Sequence, residues 1–182
     1  MPHPKLRLAA VLALSLLAIS SLSAQNLVRI STPGQRFNAP PNHGHPQDVP
    51  GGRQFRGGAF ETLTLTANLA MPSQRPAIYK LHRLVIHFST SPQGPSLRAV
   101  EIRNGGNTDF HIDTLLRGNY TARDVLKPKE AANMWDFGTI PVKVASNTIV
   151  RLQIVFPGGF EGLSNPGDFV LKSVDADFEP AP

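Results

Sequence analysis

Polar and apolar residues alternate with a period of two through most of the chain after residue 60. In ETLTLTANLA, residues 61–70, leucines occupy one face of a predicted strand and threonines occupy the other. The alternation recurs in YKLHRLVIHFST, LRAVEIR, DFHID, WDFGTIPVKV, NTIVRLQIVF and DFVLKSVDADFE. The sequence therefore predicts about eight short strands in an all-β, antiparallel two-sheet sandwich of the jelly-roll or immunoglobulin-like type.

The segment NGGN, residues 104–107, predicts a tight hairpin between LRAVEIR and DFHID, because Asn and Gly tolerate positive φ. A parallel α/β fold would need helical crossovers of about a dozen residues or more between strands. The sequence has no segment with that pattern, which leaves the antiparallel arrangement.

The first 24 residues have the pattern of a signal peptide. Lys5 and Arg7 precede the apolar run LAAVLALSLLAI, and the small residues SSLSA follow it. The run is shorter than the roughly 20 apolar residues of a membrane span. We therefore expect residues 1–24 to be removed, the mature protein to be secreted or periplasmic, and no segment to span a membrane.

Residues 25–58 are rich in Gly and Pro and show no period of 2 or 3.6. This composition predicts a flexible arm that is dispensable for folding, followed by a β-sandwich domain over residues 59–182. The arm is basic, with Arg29, Arg36, Arg53 and Arg56 against Asp48. Its arginines are too sparse to predict nucleic-acid binding.

The chain contains no cysteine, which excludes disulfides, thiol nucleophiles and thiolate metal sites. An exported chain without cysteine favours a bacterial origin. The formal charge of +5 comes from the signal peptide and the arm, since the remainder is close to neutral. We expect a monomer that needs no cofactor.

The succession LHRLVIHFSTSP, AVEIRNGG, WDFGTIPV, IVRLQIVFPGG and SVDADFE resembles an uncharacterised family of small bacterial β-sandwich domains of unknown function. The resemblance covers most of residues 61–179 and lies in strands and turns. It implies the sandwich fold, and it implies no activity and no site residues.

Motifs of serine hydrolases, HExxH metalloproteases and P-loop proteins are absent from the sequence. His82 and His87 are five residues apart, which predicts that they face opposite sides of a strand. Asp175, Asp177 and Glu179 alternate with apolar residues and fit a solvent-exposed face. Paired carboxylates on a strand also fit a glycosidase, which keeps a hydrolase open as the alternative.

The segment DFHID places Asp109, His111 and Asp113 on one strand face, with Phe110 and Ile112 on the other. The two aspartates lie about 13 Å apart along a strand, too far to share a metal ion. We therefore predict a solvated face without a bound metal, in which Glu101 and Arg103 across the hairpin provide charge pairing.

Two functions remain open. The favoured hypothesis is a non-catalytic exported module that binds a glycan or another cell-surface component, and the alternative is a carboxylate- or metal-dependent hydrolase of polysaccharide. Binding residues concentrate in irregular loops, which points to Tyr120 and Arg123. Trp135, the single tryptophan, completes the predicted ligand-binding set, although tryptophan at the start of a strand is more often a core residue.

Overall fold

The computed structural model describes residues 27–72, 78–91, 93–120, 133–137, 141–158 and 167–180. These residues form two antiparallel sheets and one short 3-10 helix, Gly34–Arg36. The predicted all-β, two-sheet antiparallel sandwich is confirmed. The predicted signal peptide lies outside the described residues. Within the described ranges, no helix has the length and apolar character that a bilayer span requires.

Twelve strands follow one another along the described chain, more than the predicted eight. They are β1 (Val28–Pro33), β2 (Gln47–Val49), β3 (Gly52–Arg56), β4 (Thr62–Asn68), β5 (Ile78–Thr90), β6 (Ser96–Asn104), β7 (Asn107–Leu116), β8 (Asn119–Tyr120), β9 (Met134–Asp136), β10 (Val142–Ala145), β11 (Thr148–Val155) and β12 (Asp168–Pro180).

The larger sheet has the strand order β10-β5-β12-β3-β2, with β1 also paired to β12 and with β8 and β9 paired to β5. The smaller sheet has the order β4-β11-β6-β7. Alternate residues of both sheets point into one shared core, because the period of two places every second side chain on the same face. The fully buried core residues include Leu65, Leu84, Ile86, Val100 and Leu152.

The predicted hairpin at residues 104–107 is confirmed. Strand β6 ends at Asn104, and β7 begins at Asn107 and pairs antiparallel with it. Gly105 and Gly106 form the two-residue loop with φ of 54° and 101°. Positive φ at both central positions is what a type I′ hairpin turn requires, which explains the choice of glycine here.

The predicted flexible arm is the largest correction. Residues 28–56 contain β1, β2 and β3, and the first and third of these strands pair with β12. Phe37 and Phe55 are each 0% exposed and belong to the core. For these residues the prediction of an arm outside the domain is wrong.

Two glycines of this segment explain why its composition was misleading. Gly34 and Gly52 both lie against the backbone of Leu171 in β12, so closely that a Cβ atom at either position would overlap the Leu171 carbonyl. Glycine here permits close packing of two backbones, and it does not indicate chain flexibility.

Candidate functional site

The outer face of the four-stranded sheet carries polar side chains in a row that crosses all four strands. The strand register places Thr66 beside Arg151, Arg151 beside Glu101, and Glu101 beside His111. Side chains that are directly opposite on neighbouring strands lie on the same face and interact. The row therefore runs continuously from the β4 edge of the sheet to the β7 edge.

A second row lies two residues further along the strands. It places Asn68 beside Ile149, and Ile149 beside Arg103. Ile149 is 36% exposed and forms an apolar spot in a polar face. Arg103 and Arg151 are diagonal neighbours, whose Cα atoms lie about 7–8 Å apart in such a pair. The two guanidinium groups therefore belong to the same region of the surface.

A groove made of two adjoining cavities, of about 420 and about 730 Å³, lies on this face. Thr66 and Ile149 line both cavities, which shows that the two cavities adjoin. The smaller cavity is also lined by Gln35, Arg36, Asn38 and Asn68. The larger cavity is also lined by Pro40, Pro41, Thr64, Arg103 and Arg151.

One wall of the groove is the segment 37–41. Asn38 and Thr66 exchange two backbone hydrogen bonds of 2.9 Å, so this segment extends the β4 edge of the smaller sheet. The guanidinium of Arg53, on β3 of the larger sheet, donates a 3.1 Å hydrogen bond to the Phe37 carbonyl. The wall is thus attached to both sheets, which gives the groove a preformed shape.

Arginine supplies the charge among the described residues that line the groove. Arg151 Nη1 lies 3.3 Å from Glu101 Oε2, and His111 Nδ1 lies 3.3 Å from the other oxygen of the same carboxylate. Arg103 Nη2 donates a 2.8 Å hydrogen bond to the Gly106 carbonyl, and its buried Nε has no partner. The groove is therefore electropositive.

The segment DFHID lies at the β7 edge of the same face. Asp109, His111 and Asp113 are exposed, whereas Phe110 and Ile112 pack against the core. The predicted solvated strand face is confirmed. His111 Nε2 lies 3.4 Å from Asp113. Among the residues that the structure describes, no three histidine or carboxylate side chains form a group that could hold a metal ion.

The predicted partner of these acids is corrected. A register shift between Ile102 and Arg103 places Arg103 beside Thr108, and its guanidinium binds the hairpin backbone at Gly106. The charge pairing on this face runs instead from Arg151 on β11 through Glu101 to His111. The sequence prediction missed Arg151 because this residue comes from a strand far along the chain.

A second cluster of charges lies on the outer face of the larger sheet, around the carboxylates of β12. Asp175 and Asp177 are 2% and 5% exposed, so the predicted solvent-exposed face is wrong for these two residues. Arg29 holds Asp177 through two hydrogen bonds of 2.6 and 2.7 Å. Arg83 approaches the same carboxylate at 3.5 Å. The cause is the central position of β12, whose neighbours β1 and β5 supply covering side chains on both sides.

The Asp175 carboxylate is held by hydroxyl groups and by an imidazole. Its carboxylate lies 3.2 Å from His87 Nε2 and accepts a 3.2 Å hydrogen bond from Ser173. Burial alone would raise the pKa of the Asp175 carboxyl, but hydrogen bonds from His87, Ser31 and Ser173 outweigh burial and lower the pKa to about 2. The ionised carboxylate is therefore the form that fits this fold.

We expect this low pKa to make Asp175 a source of acid sensitivity. A depressed folded-state pKa stabilises the fold above the unfolded-state pKa of 3.8, and that stabilisation is lost as pH falls toward about 2. Between about pH 5 and pH 2, wild type should lose about 2 kcal/mol more unfolding free energy than Asp175→Asn. Urea unfolding across this range measures the difference. Asp113→Asn, which removes a carboxylate from a side chain that is 87% exposed, is the control.

His82 and His87 lie on the same face, contrary to the prediction. A register shift between β5 and β12 makes His82 an extra residue in β5. A bulge of this kind reverses the alternation of the residues beyond it. His82 Nε2 therefore reaches Glu179 at 2.7 Å on the face where His87 contacts Asp175.

The predicted ligand-binding residues lie at a different edge. Tyr120 in β8 stacks on Phe88 with ring centroids 4.9 Å apart, and Trp135 in β9 is beside Leu84 and packs against the core. The residues beside Tyr120 and Trp135, Phe88 and Leu84, are four residues apart on β5, which is about 13 Å along the strand. Arg123 lies outside the described residues. A site here stays a prediction.

No protein-family model matches this chain, and no curated protein matches it. Nine chains of solved structures match it. The carbohydrate-binding module CBM36, in complex with calcium and xylotriose, has a TM-score of 0.39 and 9% identity, and the match covers 81% of this chain and 98% of that one. The xylan-binding module CBM15 has a TM-score of 0.41 and 14% identity, with 86% and 100% covered.

A virus protein is similar to the same degree. The structure of Tomato Aspermy Virus matches with a TM-score of 0.36 and 13% identity, over 96% of both chains. Proteins with unrelated names thus match this chain with similarly low TM-scores, so the ligand of none of them is assigned to this chain. A function has to be argued from the groove itself.

Proposed function

We propose that this protein is a non-catalytic binding module that holds a polysaccharide in the groove on the outer face of the four-stranded sheet. The observation that carries the proposal is the groove, which is lined by both polar and apolar side chains. From Thr64 to Asn68 the groove follows β4 for about 13 Å, which is longer than a single sugar ring.

The lining residues offer both kinds of contact that a sugar makes. Thr64, Thr66, Asn38 and Asn68 provide hydroxyl and amide groups, which donate and accept hydrogen bonds as sugar hydroxyls do. Ile149, with Pro40 and Pro41 on the wall, provides apolar surface for the C–H faces of a ring. No tryptophan or tyrosine is among the described lining residues, so hydrogen bonds would dominate recognition.

The carboxylates do not favour the hydrolase alternative. A glycosidase needs one carboxyl group that keeps its proton near neutral pH, which requires a raised pKa. The pKa of Asp175 is lowered to about 2, and Asp177 is held by two arginines. Neither carboxylate lies in the groove. This arrangement supports a structural role for the pair and binding without turnover.

We also propose that the module acts outside the cytoplasm as a monomer. The support for export is the signal-peptide pattern of residues 1–24. A polysaccharide ligand fits this location, because exported proteins meet such polymers at cell surfaces.

The first test is to fill the groove without changing its charge. We expect Thr66→Met to reduce affinity for a bound polysaccharide at least about tenfold, a loss of about 1.4 kcal/mol, because the larger side chain occupies the centre of the groove. Affinity gel electrophoresis against a panel of plant and bacterial polysaccharides, followed by calorimetry, measures the change. The matched control is Thr62→Met, on the same strand and face but outside the groove lining.

Fluorescence of the single tryptophan separates this groove from the predicted site at Tyr120 and Trp135. Trp135 lies on the larger sheet, so a ligand in the groove should leave its emission unchanged. If ligand binding changes the Trp135 emission strongly and Thr66→Met still binds the ligand, the site lies instead at the edge formed by β8 and β9. Equal losses in Thr66→Met and Thr62→Met, or release of sugar from the polymer, would contradict the proposal.

A further inference from the structure

Arg103 has no anionic partner among the described residues. It is half-buried at the groove, and in the described part of the chain no carboxylate lies within ion-pair distance of its guanidinium. Among the described residues its hydrogen-bond partner is the Gly106 carbonyl, 2.8 Å from Nη2, and its Nε is buried without a hydrogen bond. Partial burial of a charged group costs free energy unless an opposite charge or hydrogen bonds compensate for it.

Arg151 shares its carboxylate partner with an imidazole. Glu101 is its carboxylate partner, at 3.3 Å, and the same carboxylate also lies 3.3 Å from His111. The two arginines are diagonal neighbours on one sheet face, with exposed Ile149 directly beside Arg103. Two guanidinium groups at this spacing can approach one anionic group or two successive ones. Arg36 adds a third positive charge at the smaller cavity.

We infer that the ligand of this groove is an acidic polysaccharide, whose carboxylate or sulfate groups bind Arg103 and Arg151 while its sugar rings contact Ile149 and the threonines of β4. The inference rests on the proposed function and adds the chemical class of the ligand. Planar guanidinium groups bind carboxylate and sulfate oxygens through paired N–H donors. An anionic group would supply the partner that Arg103 lacks.

A nucleic acid is the alternative negatively charged polymer that could bind these arginines. Binding of single strands relies on aromatic side chains that stack on the bases. The described lining residues of the groove include no aromatic side chain, and only three arginines contribute charge. Hydroxyl and amide groups beside two arginines fit a charged sugar polymer better than a stacked base.

The experiment compares charged polymers with their neutral counterparts, using the full mature chain. The carboxylate pair is polygalacturonate and its methyl ester, and the sulfate pair is dextran sulfate and dextran. We expect at least about tenfold tighter binding of one charged polymer than of its neutral counterpart, and weaker binding as salt rises. Which charged polymer is preferred identifies the anionic group.

Four substitutions locate the effect. Arg103→Gln and Arg151→Gln should each weaken binding of the charged polymer about tenfold, a larger loss than either variant shows for the neutral polymer. Arg98→Gln is the matched control, because Arg98 is exposed on β6 but does not line the groove, and it should leave both affinities unchanged. Arg103→Lys keeps the charge without the planar fork and should fall between wild type and Arg103→Gln. If Arg103→Gln is poorly folded, Arg151→Gln decides the result.

The outcomes separate this inference from the proposed function. Equal binding of charged and neutral polymers, with both lost in Thr66→Met, would leave the binding module intact and overturn the acidic ligand. Equal losses in Arg98→Gln and Arg103→Gln would show a diffuse charge effect and overturn the inference as well. Single-stranded DNA that binds as tightly as the acidic polymers, through the same arginines, would assign the groove to nucleic acid. Retention of no polymer would overturn both proposals.

Discussion

Phe55→Ala should destabilise the protein by about 3–5 kcal/mol, although Phe55 lies in a segment whose composition predicts a flexible arm. The side chain is 0% exposed and comes from β3, which pairs with β12 at the centre of the larger sheet. Its removal leaves a cavity in the core, and the cost of a cavity adds to the lost burial of the ring. Urea unfolding followed by circular dichroism measures the change.

Phe60→Ala is the matched control, since the same substitution falls in the same part of the chain at a side chain 80% exposed. It should change the unfolding free energy by no more than about 0.5 kcal/mol. A chain truncated to begin at Glu61 should also fail to fold, because it lacks both β1 and β3. Cooperative unfolding of that truncated chain at the wild-type midpoint would restore the interpretation of residues 25–58 as an arm.

This segment also joins the fold to the proposed function. Residues 37–41 form one wall of the groove, and the buried ring of Phe37 is adjacent to Asn38, which pairs with Thr66. The wall therefore depends on the same packing that attaches β1 and β3 to the larger sheet. A substitution that loosens this segment is expected to weaken ligand binding even where no lining residue changes.

The strands after residue 60 could be predicted from alternation, because their signal is local. The alternation in residues 61–70 places leucines in the core and threonines outside, and the structure has this pattern over β4. The hairpin at residues 104–107 was likewise predicted from the local requirement for positive φ. Both features depend on neighbours within a few residues, which is the range over which sequence patterns report structure.

The features that could not be predicted depend on partners far along the chain. Alternation predicts that Asp175 and Asp177 face away from the core, which is correct, but it does not reveal that Arg29 and His87 cover them. A bulge at His82 changes the facing of a side chain without changing the composition of the strand. Gly34 and Gly52 could not be interpreted from the sequence either, because glycine is favoured both where two backbones pack closely and where a chain is flexible.

The groove was missed for the same reason. Its lining residues come from four separate parts of the chain, represented by Asn38, Thr66, Arg103 and Arg151. The available signal was arginine at outward positions of two core strands, LRAVEIR and NTIVRLQIVF. That signal identifies a charged sheet face. Placing the two strands side by side requires the register of β6 and β11, which no local pattern supplies.

Asp177→Asn should destabilise the fold by about 3 kcal/mol, because it removes the anion shared by two arginines. Arg29 binds Asp177 through two hydrogen bonds of 2.6 and 2.7 Å, and Arg83 lies 3.5 Å away. Breaking a buried ion pair by neutralising one partner typically costs about 3–5 kcal/mol. The lower end applies here, because the side chain of Arg29 is 42% exposed and can recover water contacts.

Asp168→Asn is the control, because Asp168 lies in the same strand, β12, as Asp177. Asp168 also pairs with an arginine, Arg56, at 3.0 Å, but both side chains are exposed, at 37% and 54%. A surface pair of this kind contributes about 0–1 kcal/mol, so Asp168→Asn should be nearly neutral. Equal losses from the two substitutions would mean that burial of Asp177 adds nothing to its pairing. In that case the charge cluster around β12 would be a surface feature, and its acids would again be candidates for a reactive carboxylate pair.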